Sequence, residues 1–249
     1  MGQQDNEIVL LAGLPRTGST LLQNLLAQNP DVYSEGNSGL CTVMWDAKTS
    51  CEHNAAQQLI GVGKDVTFKN ALLKSMPSIY YPDIKGKIIL DKTRTWVNEA
   101  NICMARSYIS EDVKTIVMVR PLEEIVASLV KVSAQNSFDF PYEGLLSEGG
   151  DFLREVHATY FAAKSQDPSF LFVSYDDVVS RTDETLARIY NHIGKEPFAH
   201  NVHQVTQTVF EDDERNNMVG MHDIRPEIAK QANEVVLPDW VKAACENMT

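Results

Sequence analysis

Apolar and polar positions along the chain follow two rhythms. Short continuous apolar runs bounded by glycine, proline or charge read as strands buried on both faces: Ile8–Ala12, Lys87–Asp91, Thr115–Val119 and Ser169–Ser174. Between them apolar residues recur three and four apart, as on one face of a helix. Such spacing marks Leu21, Leu22, Leu25 and Leu26; Phe68, Leu72, Leu73 and Met76; residues 96–108; residues 121 to about 132; Asp151–Ser165; and Leu186, Ile189, Tyr190 and Ile193. Weaker helical patterns cover Leu40–Lys48 and Asn54–Ile60, and Asp31–Asn37 reads as a polar turn. The first helix is expected to close at Gln28-Asn29-Pro30, the stretch from Phe68 at Pro77, and the last at Gly194. Beyond it the pattern loosens, with short helices expected after Arg225 and Pro238.

Strands alternating with helices predict an α/β fold: a three-layer sandwich around a central parallel sheet, with ligands at the carboxyl ends of the strands. With no internal repeat and no interdomain linker, residues 1–249 read as a single domain. Its core would span about 7–194, and a C-terminal packing or lid segment about 200–249.

Composition narrows the function. Over 249 residues, 43% hydrophobic and 22% charged side chains are those of a soluble globular protein. A net charge of −12 argues against nucleic acid as a partner, and an anionic ligand would need a local cationic pocket. No apolar run reaches membrane-spanning length, and the first strand begins too early for a signal peptide, so a cytoplasmic location is expected. Asn6 stands where a myristoylation signal has a hydroxyl. Four cysteines, Cys41, Cys51, Cys103 and Cys245, show neither metal-ligand nor redox spacing and read as free thiols.

The chemistry gathers at the strand ends. After the first strand, Gly13-Leu-Pro-Arg-Thr-Gly-Ser-Thr20 opens a helix, the arrangement in which backbone N–H groups and the helix dipole hold an anion. Its spacing matches a phosphate-binding loop at Gly13, Gly18 and Thr20, but Ser19 stands in place of the lysine that reaches a γ-phosphate. Arg16 is the nearest cation. The second strand ends in Asp91-Lys92-Thr93-Arg94, the third in Arg120 with Ser128 eight residues on, and the fourth in Tyr175. Each cation alone also reads as a solvated strand-end charge, Arg94 most of all. Together Arg16, Lys92 and Arg120 suggest a multiply anionic ligand handled without a metal. The acidic run Glu211–Glu214 reads as a solvated loop.

These residues resemble the sulfotransferases that use 3′-phosphoadenosine 5′-phosphosulfate (PAPS), over about Ile8–Gly194. The resemblance implies a P-loop NTPase-like sulfotransferase fold. Pro15, Arg16, Thr17, Gly18, Ser19 and Thr20 would bind the 5′-phosphosulfate, and Arg120 and Ser128 the 3′-phosphate. Tyr175-Asp-Asp-Val178 is similar to the family's tyrosine segment. Cytosolic small-molecule members carry lysine at the place of Arg16, an aromatic at that of Leu21, and histidine at that of Arg94; their Arg-Lys-Gly segment is absent here. The loop looks closer to the tyrosylprotein and bacterial carbohydrate or lipid sulfotransferases. By that likeness Lys92 and Arg16 would stabilise developing charge and Glu35 would be the general base, with His53 its rival. Arg225, in Met221-His-Asp-Ile-Arg225, would reach a phosphate. The implied reaction moves a sulfuryl group to an acceptor hydroxyl and releases adenosine 3′,5′-bisphosphate (PAP). Acceptor contacts are expected from Leu40–Ile60 and Gln135–Gly150. A P-loop small-molecule kinase, with Asp91 as the only near match to a magnesium aspartate, and a non-catalytic nucleotide-binding module stay open as alternatives.

Overall fold

A computed structural model describes residues 6–215, 217–230 and 235–248. Five strands form one parallel sheet: β1 (Glu7–Gly13), β2 (Val32–Asn37), β3 (Ile88–Lys92), β4 (Lys114–Val119) and β5 (Phe170–Ser174), in the order β2-β3-β1-β4-β5. The central strand β1 places Leu11 beside both Lys92 and Ile116, so β1, β3 and β4 end together. From β1 the chain goes to the edge at β2, returns to β3 beside β1, and then crosses to β4 and β5 on the other side, which opens a crevice at the carboxyl end of β1.

Helices cover both faces. Leu11, Ile116 and Val173 pack against Leu22 and Leu25 of α1 (Ser19–Leu26) and Ile189 and Tyr190 of α10 (Thr182–His192). On the opposite face Leu10, Ile89 and Val117 meet Leu40 and Met44 of α2 (Leu40–Thr49), Leu73 of α4 (Asp65–Tyr80) and Ile102 of α5 (Glu99–Tyr108). A third cluster joins α6 (Leu122–Gln135), α8 (Asp151–Ser165) and α11 (Asp239–Asn247). The short helices α3 (Ala56–Gly61), α7 (Tyr142–Leu145) and α9 (Tyr175–Ser180) complete the set among the described residues. Within these residues no helix is long and apolar enough to cross a membrane.

Several elements depart from the periodic reading, each for a local reason. Residues expected to form a polar turn are the edge strand β2. Its ladder to β3 breaks between Ser34 and Asn37, and Gln23 of α1 donates to Ser34 Oγ (2.9 Å) and to the Glu35 carbonyl (2.6 Å). Backbone pairing and one glutamine hold it, so hydrophobic alternation was never needed. Pro77 does not end α4. It sits in the last turn, where one missing N–H is tolerable, and Tyr81 N–H still bonds the Pro77 carbonyl (3.0 Å). Tyr80 and Tyr81 anchor that end by hydrogen bonds to Gly39 N–H (2.8 Å) and Asp91 Oδ2 (2.8 Å).

The stretch 96–108 is two elements, a 3₁₀ turn at Arg94–Val97 and α5, with Asn98 extended between them. Trp96 forces the break, because its buried indole N–H is fixed on Asp91 Oδ1 at 2.6 Å. Helix α6 runs on to Gln135, past the expected stop near 132. No helix follows Arg225 in residues 226–230, and positions 231–234 lie outside the described residues. The helix expected after Pro238 is α11.

All four cysteines are free; Cys41, Cys51 and Cys245 are buried and Cys103 is exposed. Burial pushes the Cys41 thiol up to about 12, far from the thiolate that reacts. Titration with a thiol-specific disulfide reagent should therefore show one fast group in the native protein, abolished by Cys103→Ser, and four after denaturation.

Candidate active site

The turn that leaves β1 is shaped by steric need. A Cβ on Gly13 (φ 143°) would lie 2.6 Å from the Met118 carbonyl of β4, and one on Gly18 (φ 88°) 2.6 Å from the Tyr175 ring. Only glycine fits either place. Between them Arg16 adopts a left-handed φ of 67°, and Thr17 turns inward to donate to the Leu14 carbonyl (2.7 Å). Thr17 is fully buried, so its hydroxyl closes the loop rather than facing a ligand. Helix α1 then starts at Ser19, with no acidic side chain in its first turn among the described residues, which leaves the positive end of its dipole open to an anion.

This loop forms one wall of a cavity of about 720 Å³ at the carboxyl end of the sheet. Pro15, Arg16, Gly18, Ser19, Thr20 and Lys92 line it, and so do Arg120, Ser128, Tyr175 and Arg225. Residues from four strand ends, α6 and the C-terminal segment are thereby brought to one place.

Cations are prominent in the walls, and Arg16, Arg120 and Lys92 are restrained. Arg16 donates from Nε to Ser128 Oγ (3.0 Å) and from Nη1 to the Met221 carbonyl. Burial, and then the neighbouring Arg120, holds its guanidinium below the ordinary arginine value. The Arg120 guanidinium carbon lies over the Tyr175 ring, 4.3 Å from its centre, and Arg120 donates to Glu124 Oε2 (2.9 Å) and the Arg16 carbonyl (3.1 Å). Lys92 is the most enclosed, with its side chain 6% exposed. Its Nζ lies 2.5 Å from Glu211 Oε1 and 3.4 Å from Thr20 Oγ1. Burial lowers the Lys92 ammonium from its usual value, and the Glu211 carboxylate pulls it back up.

A sequence model of the sulfotransferase family matches residues 9–199. The chain belongs to that family. Two solved structures share its architecture. One is a sulfotransferase domain from the Synechococcus PCC 7002 olefin synthase, at 16% identity and TM-score 0.59, covering 100% of this chain and 94% of that one. The other is a sulfotransferase domain from the curacin biosynthetic pathway, at 17% and 0.61, covering 99% and 97%. These likenesses are ones of fold. No curated protein sequence matches this chain.

In this sulfotransferase, two residues expected at the site stand apart from it. Glu35 lies on β2, accepts from the Tyr33 hydroxyl (2.9 Å) and is not among the cavity-lining residues. His53, in a π-helical turn at Ser50–Asn54, is exposed and also outside the lining. Asp91 is fully buried, spent on Trp96 and Tyr81, and burial holds its carboxyl above the usual range. It does not face the cavity as a magnesium aspartate would.

The acidic run brings the converse correction. Asp212 and Glu214 are exposed, but Glu211 is a cavity wall residue with its side chain 9% exposed. Gly36 makes this possible: a Cβ there would stand 2.5 Å from Glu211 Cγ. His222 lines the cavity too, with Nδ1 2.5 Å from Asp213 Oδ1. Only the histidine and carboxylates of 211–223 hinted at this; their place depends on a chain reversal that no local pattern encodes.

Gly13→Ala should cost about 2 kcal/mol or more of stability, because the clashing atom is a backbone carbonyl of a central strand. Gly149→Ala, also at positive φ but with open space around the Cβ, should cost clearly less; urea denaturation of both variants measures the difference.

Proposed function

We propose that this sulfotransferase takes its sulfuryl group from PAPS and passes it to an acceptor hydroxyl, releasing PAP. The observation that carries the reading is the convergence of Arg16, Lys92, Arg120 and Ser128 on one cavity beside an uncapped helix start. Two separate anionic groups need two cationic clusters, and the cavity supplies them. Thr20 and Lys92 lie together at one end, 3.4 Å apart, suited to the 5′-phosphosulfate. Arg120, backed by Tyr175, with Ser128 on α6, suits the 3′-phosphate, and Arg16 donates to Ser128 beside it.

The donor supplies an activated sulfuryl group; the protein supplies charge and orientation. Arg16 and Lys92 would stabilise negative charge on the sulfuryl oxygens and on the phosphate oxygen left behind. Backbone N–H groups at the start of α1 would hold the 5′-phosphate. Arg225 lines the same cavity from the C-terminal segment, placed for a further phosphate contact. An acceptor would approach past Gln135, the one residue of the expected acceptor loops among the lining residues. A kinase reading has less support, since Ser19 replaces the loop lysine and Asp91 is committed to the core.

Titration calorimetry tests the donor. Wild type should bind PAP without magnesium and in preference to ADP or ATP, and Arg120→Ala should weaken PAP by roughly tenfold or more, the loss of a charge-assisted phosphate contact. Magnesium-dependent preference for ATP would overturn the reading. Lys92→Ala separates an enzyme from a binding module: an enzyme loses turnover out of proportion to any loss of PAP affinity.

A further inference from the structure

The C-terminal segment carries a carboxylate to the reacting edge of the sheet and fixes it there from three sides. Glu211 Oε1 lies 2.5 Å from Lys92 Nζ. Its Oε2 accepts from Asn37 Nδ2 and stands 3.4 Å from His222 Nε2. His222 is itself held by Asp213, whose Oδ1 meets its Nδ1 (2.5 Å) and whose Oδ2 accepts its backbone N–H (2.9 Å). The carboxylate therefore has a tether independent of the lysine.

Lys92 cannot serve Glu211 and the dianionic phosphosulfate of an incoming donor equally. The donor's oxygens demand the same ammonium, and a carboxylate left against them would be repelled. When the donor takes Lys92, Asn37 and His222 still hold Glu211 at the edge of the cavity. What was a neutralised ion pair becomes an uncompensated carboxylate beside the sulfuryl group, where an acceptor hydroxyl must approach. Glu35, turned to Tyr33 on β2, offers no such position.

We propose that Glu211 is the general base of the transfer, quenched by Lys92 in the free enzyme and released when the donor claims the lysine. This rests on the PAPS reading above. As the acceptor oxygen bonds to sulfur, the bond from sulfur to the 5′-phosphate oxygen breaks and its electron pair stays on that oxygen. The acceptor's proton goes to the Glu211 carboxylate, and PAP leaves. His222 and Asp213 are positioning residues: they keep the carboxylate in place while its partner changes.

Glu211→Gln keeps the shape and removes both the ion pair and the proton acceptor. Calorimetry with PAP and PAPS, together with transfer from ³⁵S-labelled PAPS to water (read as sulfate) or to phenol (read as phenyl sulfate), reads the two halves of the proposal. Glu211→Gln should bind PAPS about threefold tighter or more than wild type, because no ion pair has to open first. Its sulfuryl transfer should fall roughly 100-fold or more despite that binding. His222→Gln should lower turnover less and leave PAP affinity within about twofold. Weaker PAPS binding by Glu211→Gln would show a merely structural partner of Lys92 and overturn the proposal, as would transfer at the wild-type rate. Sulfate release by wild type no faster than the protein-free blank would also overturn it, since a freed carboxylate activates water as it does an alcohol. If neither wild type nor variant binds PAP or PAPS, the donor reading itself fails, an outcome distinct from failure of Glu211→Gln alone.

Discussion

The ammonium of Lys92 sits almost out of water at the end of a buried strand, and much of the surrounding structure answers to that charge. A lone buried cation is costly enough to lose its proton or disrupt the fold, so a counter-charge has to be brought to it. Glu211 supplies it from 119 residues away in sequence. To arrive there the C-terminal segment must cross the carboxyl ends of β2 and β3, and Gly36 gives it room to lie against the sheet. The crossing then seats His222 and Met221 on the cavity, and Met221 in turn takes a hydrogen bond from Arg16. One ion pair thus closes the site and orients a second cation in it.

The same logic lets a strongly acidic protein carry a cationic cavity. Net charge acts at long range and is screened within about 10 Å at ordinary salt, whereas a cavity acts over bond lengths. Arg16, Lys92 and Arg120 are concentrated where three parallel strands end together, next to a helix start without acidic side chains in its first turn. Each cation is held by a neighbour that a ligand can replace or share: Ser128, Glu211, Glu124 or the Tyr175 face. The cations are thus held in place before any ligand arrives, and only their partners have to change.

Much of this was legible from the order of residues alone, and the reason is locality. A continuous apolar run dictates a strand buried on both faces, and glycines at 13 and 18 around Arg16 dictate a turn that ordinary side chains cannot make, so the α/β class and the loop followed directly. The match of the sulfotransferase family to residues 9–199 agrees with what that loop and the Arg120–Ser128 pair implied. Tertiary structure decided whatever depended on a distant partner. Edge strand β2 is held by a ladder and by Gln23, not by its own periodicity, so it looked like a turn. Helix α4 passes Pro77 because two tyrosines anchor its end elsewhere. Asp91 and Glu211 exchanged their expected environments for the same reason. The former found Trp96 and Tyr81 in the core, the latter a buried lysine, and the environment of a charged side chain is set by what the fold brings to it rather than by its neighbours in the chain.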